Sequence, residues 1–272
     1  MSYLNHACGA MMIAAASFAA APAVAADLTA DLATPMTAEP ILPIDIAFGV
    51  KLASEYNLRS VSQTKGKPAI QGYAELSAFD WVYAGVWASN VGFGGTNPSA
   101  EIDIYGGLRH SFDKLSLDVG YVWIDYTGED SGVRELDFYK VYGIAKYALT
   151  DEFTIGANLF WTGKFINVKG IDGTHASVFG KYTLASLPQV PVLGAYVSGE
   201  FGKQWISDNF APEYTFWNVG GGFTYKAATL DLRYTDSGLS KRECALFIGQ
   251  RGSCGSRFLA SLSFDTSLSK LK

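Results

Sequence analysis

The sequence predicts an all-β fold, a transmembrane antiparallel up-and-down β-barrel of about twelve strands with short periplasmic turns and longer extracellular loops. Three observations carry this expectation. From Ile44 onward, segments of roughly ten residues alternate apolar with polar side chains and are separated by turn residues, the repeated signature of spanning strands. The connectors between them alternate short with long. Finally, 49% of the 272 residues are hydrophobic and 14% aromatic, yet nothing after residue 26 approaches the ~18 consecutive apolar residues of a spanning helix. The apolar surface must therefore be spread over strands.

The N-terminus comes first. Gly9 to Ala26 is an uncharged run rich in Ala and Met that ends in Ala23-Val24-Ala25, so residues 1–26 read as a secretory signal peptide cleaved after Ala25 or Ala26. Its n-region offers only His6 in place of Lys or Arg. Cys8 precedes the apolar run, the wrong place for lipid attachment, and leaves with the signal. Residues 27–43 are rich in Pro, Thr and Ala without periodicity and read as a flexible periplasmic lead-in. The barrel is expected over 44–266 and a short tail over 267–272.

Strands are expected near 44–58, 67–78, 81–90, 99–110, 114–126, 135–149, 152–164, 173–185, 192–203, 213–226, 228–236 and 256–266. Phe79-Asp80, Ser111 to Asp113, Asp151 and Ala227 mark tight turns. Val91 to Pro98, Thr127 to Arg134, Phe165 to Asp172, Ile206 to Pro212 and Ser237 to Gly255 are long. Short turns belong to the periplasm and long loops to the exterior. Ser186 to Pro191 is longer and more apolar than its periplasmic peers and is expected to form a wide turn. Aromatic residues fall near strand ends at Trp81, Tyr83, Trp87, Trp123, Tyr126, Tyr147, Trp161, Phe201, Trp205, Trp217 and Tyr225, as two interfacial girdles would require.

Alternation also sorts the two faces of each strand. In one strand Ile102, Ile104 and Leu108 share a face against Glu101, Asp103, Tyr105 and Arg109. Charges at membrane depth cannot cheaply face lipid. The expected lumen lining is thus Lys51, Glu55, Glu75, Glu101, Asp103, Arg109, Asp118, Lys140, Lys146, Lys164, Glu200, Asp231, Arg233, Arg257 and Asp265. Two outcomes compete: a hydrated channel, or an interior closed by paired charges. About twelve strands lies between filled small barrels and open large ones, and a two-signed lining argues against strong ion preference. The expectation is a narrow, weakly selective pore for small hydrophilic solutes.

From Ser54 the chain resembles the TorF-type porins. Ser54-Glu55-Tyr56-Asn57-Leu58-Arg59-Ser60-Val61-Ser62-Gln63-Thr64 is similar to that family's opening motif, and Pro68-Ala69-Ile70-Gln71-Gly72 continues it. Tyr83 to Val91 and Glu101 to Gly107 resemble its second and third blocks. The resemblance is dense over about 46–147 and general beyond. It implies an outer-membrane barrel called a porin by family name, and it supplies no substrate. Two departures stand out: Ser60 occupies a position where the family has Gly, and the chain runs past Phe264 to Lys272 where such barrels often finish on an aromatic.

Enzyme chemistry has one foothold. His175-Ala176-Ser177 puts a base and a hydroxyl on one face of a strand near its exterior end, a spacing resembling some outer-membrane lipid hydrolases. No phosphate loop or metal-ligand spacing accompanies it, and no cofactor is expected. Cys244 and Cys254 are the only cysteines after the signal; a disulfide in an exterior loop is the natural reading in an oxidising compartment, metal binding the competitor. A structural barrel that displays loops is a third class, since Ser237 to Gly255 carries Lys241, Arg242 and Arg251. Expected partners are outer-membrane lipid and lipopolysaccharide, the barrel assembly machinery and small solutes. The net charge of -5 and the lack of a basic block exclude nucleic acid.

Overall fold

The computed structural model describes residues 44–271 except 80, 95, 131, 133, 134 and 185–192. The expected signal, the lead-in, Asp80 and the wide turn at 186–191 lie outside the described residues. Fourteen strands form: β1 Ile44–Ala53, β2 Asn57–Leu58, β3 Val61–Ser62, β4 Ala69–Ala78, β5 Val82–Asn90, β6 Ala100–Phe112, β7 Leu115–Thr127, β8 Phe138–Ala148, β9 Phe153–Thr162, β10 Gly173–Leu184, β11 Leu193–Ile206, β12 Tyr214–Tyr225, β13 Ala228–Ser237 and β14 Arg257–Ser267, with helix α1 over Lys241–Ile248. All but β2 and β3 make one closed barrel of twelve antiparallel strands, and β1 closes it by pairing with both β4 and β14.

Closure satisfies every ladder and leaves no edge, which is what a lipid environment demands of strands. The alternation then decides the faces. Val86, Ile104, Val119, Leu159, Val178, Val197 and Leu232 all lie exposed on the outer wall, an apolar belt that only lipid can cover. The chain is thus an outer-membrane β-barrel, with short turns at one rim and long loops at the other. Tight hairpins at the short rim turn through left-handed Asp113 (φ 53°) and Lys226 (φ 53°). The tail folds back there: Ser269 donates to the Asp45 carboxylate from its backbone N–H (3.0 Å) and its hydroxyl (2.6 Å).

The expected first strand is too long. β1 stops at Ala53, and residues 54–68 turn into the lumen as the small hairpin β2–β3. Its two central residues, Arg59 (φ 49°) and Ser60 (φ 63°), are both left-handed, the conformation of a type I′ hairpin turn. Ser60 bears the steric cost of this conformation and offsets it with hydroxyl contacts to Thr235 and the Trp217 carbonyl. β9 also ends early, at Thr162, so Lys164 lies beyond the strand as an exposed turn residue rather than on the lumen wall.

The long loop before β14 is not simply solvated. Ser240 and Glu243 form a capping box at the start of α1, and Gly249 (φ 72°) ends it, a sequence-encoded start and stop. Cys244, Phe247 and Ile248, spaced three and four apart, are buried, and the Cys244–Cys254 disulfide is formed. β3 docks on this loop, with Val61 bridged to Cys254 and Ser62 N–H donating to the Ser253 carbonyl (2.6 Å). The hydrophobic core therefore lies inside the exterior half of the lumen, where Leu58, Phe93, Leu136, Phe138, Phe165, Phe216 and Phe247 are all fully buried.

The girdle assignment needs correction at three positions. Trp81, Trp123, Tyr147, Trp161, Phe201, Trp205, Trp217 and Tyr225 face outward, but Tyr83 and Tyr126 are buried inside and Trp87 packs 5.4 Å from the ring of Tyr56. Residue type alone could not separate them; strand parity does.

Candidate functional site

The lumen is the candidate site, and the register divides it into two layers. In the exterior layer Glu101 and Asp103 of β6 are 0% exposed and Lys140 of β8 is 3% exposed. The loop hairpin ties itself to this wall by polar contacts. Tyr56 and Tyr126 hydroxyls donate to the two Glu101 oxygens (3.1 and 3.0 Å). The Arg59 guanidinium donates to Gln204 Oε1 (2.7 Å) and sits 5.7 Å from the Phe160 ring centre. Arg257 bonds both oxygens of Glu55 (3.1 and 2.8 Å). Glu200 accepts from the Asn218 amide (3.2 Å).

His175 and Ser177 share a face, but it is the lumenal one beneath the hairpin. The imidazole lies between the Phe160 and Phe216 rings, at 5.6 and 5.5 Å. Neither of its nitrogens has a hydrogen-bond partner among the described residues, and the Ser177 hydroxyl accepts from Asn158 instead (3.1 Å). A lipid ester in the surrounding leaflet has no approach to either group.

The periplasmic layer is built differently. Arg109 donates to Asp118 (2.8 Å) and Glu75 (3.0 Å) while its side chain stays 45% exposed, and it stacks 4.1 Å from the Tyr83 ring centre. On the far wall Arg233 pairs with Asp231 (3.0 Å) and bonds Ser198 (3.0 Å), while the Tyr196 hydroxyl donates to Asp231 (2.7 Å). Lys146 lies in electrostatic range of Arg109, Asp118 and Lys181, and Lys51 of Asp231 and Asp265. The Arg109 side chain meets solvent here, whereas the rings of Tyr83, Tyr105 and Tyr142 are buried against the wall. A Cβ at Gly120 or Gly85 would sit 2.5 Å from the Tyr142 or Tyr105 ring, so these glycines are slots that hold the tyrosines on the wall.

Of the residues expected to line the lumen, those on strands lie on the inward face, Glu55 enters from the loop, and Lys164 does not join them. The sequence reading missed Arg59, Lys181 and the tyrosines Tyr83, Tyr142 and Tyr196; it placed Tyr105 on the inward face without counting it among the lining residues. Strict alternation of Ser177, Phe179 and Lys181 along β10 would have found the lysine. Nothing in the sequence announces that Arg59, in a loop, reaches the opposite wall.

Among solved structures the chain is similar to the KdgM porin (8% identity, 81% of this chain and 98% of that one, TM-score 0.48). It is likewise similar to the NanC porin (10% identity, 81% and 98%, TM-score 0.47) and to an outer membrane channel from Pseudomonas putida (10% identity, 88% and 100%, TM-score 0.46). Comparison with curated protein sequences finds no match. The barrel together with its inward hairpin and capping loop falls almost wholly within residues 37–260, which match the model of the Gcw_chp family, bacterial proteins of unknown function, and the chain belongs to that family.

Proposed function

We propose that the protein is a porin-type channel of the outer membrane, of the TorF type, for small hydrophilic solutes, and that its first exterior loop holds it closed in the described conformation. The charged periplasmic layer, where Arg109 meets solvent, carries this reading. A barrel serving only as a scaffold gains nothing from rings set into glycine slots on its wall. The loop that fills the other half is attached by hydrogen bonds to the wall and by burial of Tyr56, Leu58 and Val61, and solute passage requires it to withdraw. The motif from Ser54 to Thr64 supports the family analogy because it encodes that loop.

Planar-bilayer recording tests the proposal. The full chain should conduct weakly or intermittently, and replacing residues 55–66 by a Gly-Ser linker should raise conductance severalfold. A linker variant that folds as a heat-modifiable barrel yet never conducts would leave the non-conducting structural barrel as the function.

A further inference from the structure

We propose that the Cys244–Cys254 disulfide is a redox-sensitive latch on the hairpin β2–β3, released by a dithiol reductant acting from the exterior. As control of conductance it rests on the channel reading, whereas its hold on the hairpin does not.

The hairpin has two kinds of support. The first is the barrel wall and the loop after β5: Tyr56 donates to Glu101, Arg59 donates to Gln204, and the Gln63 carbonyl accepts from Gly92 N–H (2.8 Å). The second is the short segment Gly252 to Cys254. Ser62 N–H donates to the Ser253 carbonyl (2.6 Å), and Val61 is bridged to Cys254. Arg257, which holds both oxygens of Glu55, also donates to the carbonyls of Gly252 (2.8 Å) and Cys254 (3.3 Å). Residues 252–254 are thus a receiving edge for the hairpin.

That edge is not held by the barrel. It belongs to no barrel strand, and the glycines at 252 and 255 (φ 93° at Gly255) leave its backbone free to rearrange. Helix α1 is seated far more firmly. Phe247 and Ile248 are fully buried, the Phe247 ring lies 5.0 Å from that of Tyr214 on β12, and Gly249 packs so closely on Gly94 that a Cβ there would meet its carbonyl oxygen at 2.9 Å. The bond from Cys244 on this helix to Cys254, ten positions on, transmits that seating to the edge. Neither cysteine lies in a barrel strand, so the bond orders the hairpin's support and not the barrel.

Cys244 is fully buried, whereas Cys254 is only partly so, and an exterior thiolate therefore attacks the Cys254 sulfur. The S–S bond breaks, a mixed disulfide forms on Cys254, and the Cys244 sulfur leaves and takes up a proton. The second thiol of the reductant then displaces Cys254. Two electrons and two protons have passed to the protein, which holds two thiols, and the reductant is a cyclic disulfide. Residues 252–254 are released from α1, and the hairpin keeps only its first support intact.

The test reads the hairpin and the current separately. In the full chain refolded in detergent, dithiothreitol should speed backbone hydrogen exchange over Tyr56 to Gln63 about tenfold while the heat-modifiable barrel band is kept. Cys244→Ser/Cys254→Ser should match the reduced protein with no reductant present. In planar bilayers, dithiothreitol on the exterior side should raise conductance severalfold and leave the variant with a linker at 55–66 unchanged. Unaltered exchange in the Ser variant would overturn the latch, and so would loss of the barrel band, which would make the bond a support of the fold. A bond that resists dithiothreitol in the folded protein would overturn its release. Faster exchange with no conductance in any variant would sink the channel reading only. Conductance in the linker variant, with a hairpin indifferent to reduction, would sink only the latch.

Discussion

Glu101 and Asp103 in the exterior half of the lumen are wholly buried, while Arg109 in the periplasmic half keeps nearly half its side chain in water. Both sets of charges hang from the same strands, β6 among them, and both face inward by the same alternation. What separates them is the hairpin β2–β3 and helix α1, which fill one half with protein and leave the Arg109 side chain of the other in contact with solvent. Charge on a barrel's inner face therefore says which residues avoid lipid, and the loops decide whether those residues meet water or a core.

If the exterior half is a true core, it should respond to cavities as a core does. Phe216→Ala removes a fully buried ring and is expected to cost ~3-5 kcal/mol. Phe179→Ala, from a half-buried ring of the periplasmic layer, should cost clearly less. Urea unfolding in lipid vesicles followed by tryptophan fluorescence measures both, and equal losses would dissolve the distinction between the halves.

The outer wall should ignore that distinction. Ile104 is 59% exposed to the lipid side beside the buried Asp103, and Ile104→Arg is expected to destabilise by ~2-4 kcal/mol near mid-depth. Asp103→Asn should disturb unfolding less. Equal effects at these adjacent positions would mean that the register of β6 is wrong.

Two arginines give the finest comparison. Arg59→Leu leaves Gln204 without its buried donor and is expected to cost ~1.5-3 kcal/mol. Arg109→Leu breaks two ion pairs whose guanidinium is half in solvent but whose Glu75 and Asp118 carboxylates are mostly buried, and is expected to cost ~1-2 kcal/mol, with a part that falls at high salt. Stability measured at low and at high ionic strength decides between them; a larger, salt-insensitive loss at Arg109 would reverse the assignment of wet and sealed halves.

Most of the wall is legible in the residues. Period two places Ile104 outside and Asp103 inside without any tertiary information, because a pleated strand has only two faces. The positions of the twelve barrel strands follow from the same pattern and from connector lengths. The reading failed where parity was not applied, as at Tyr83, Tyr126 and Lys181, and where a segment changed role. Residues 54–58 continue an apolar-polar pattern that suits a strand, yet the left-handed pair Arg59 and Ser60 turns them into the lumen.

By itself, then, the sequence determined a closed antiparallel barrel, its orientation and the chemistry of each face, since these depend on local periodicity and on the cost of placing charge in lipid. Only the tertiary structure decided that one half of the lumen is filled. That outcome depends on contacts between residues far apart in the chain, Arg59 with Gln204, Tyr56 with Glu101 and Val61 with Cys254. No local pattern encodes which loop enters a barrel, because the favourable term is burial against walls that exist only once the barrel has closed.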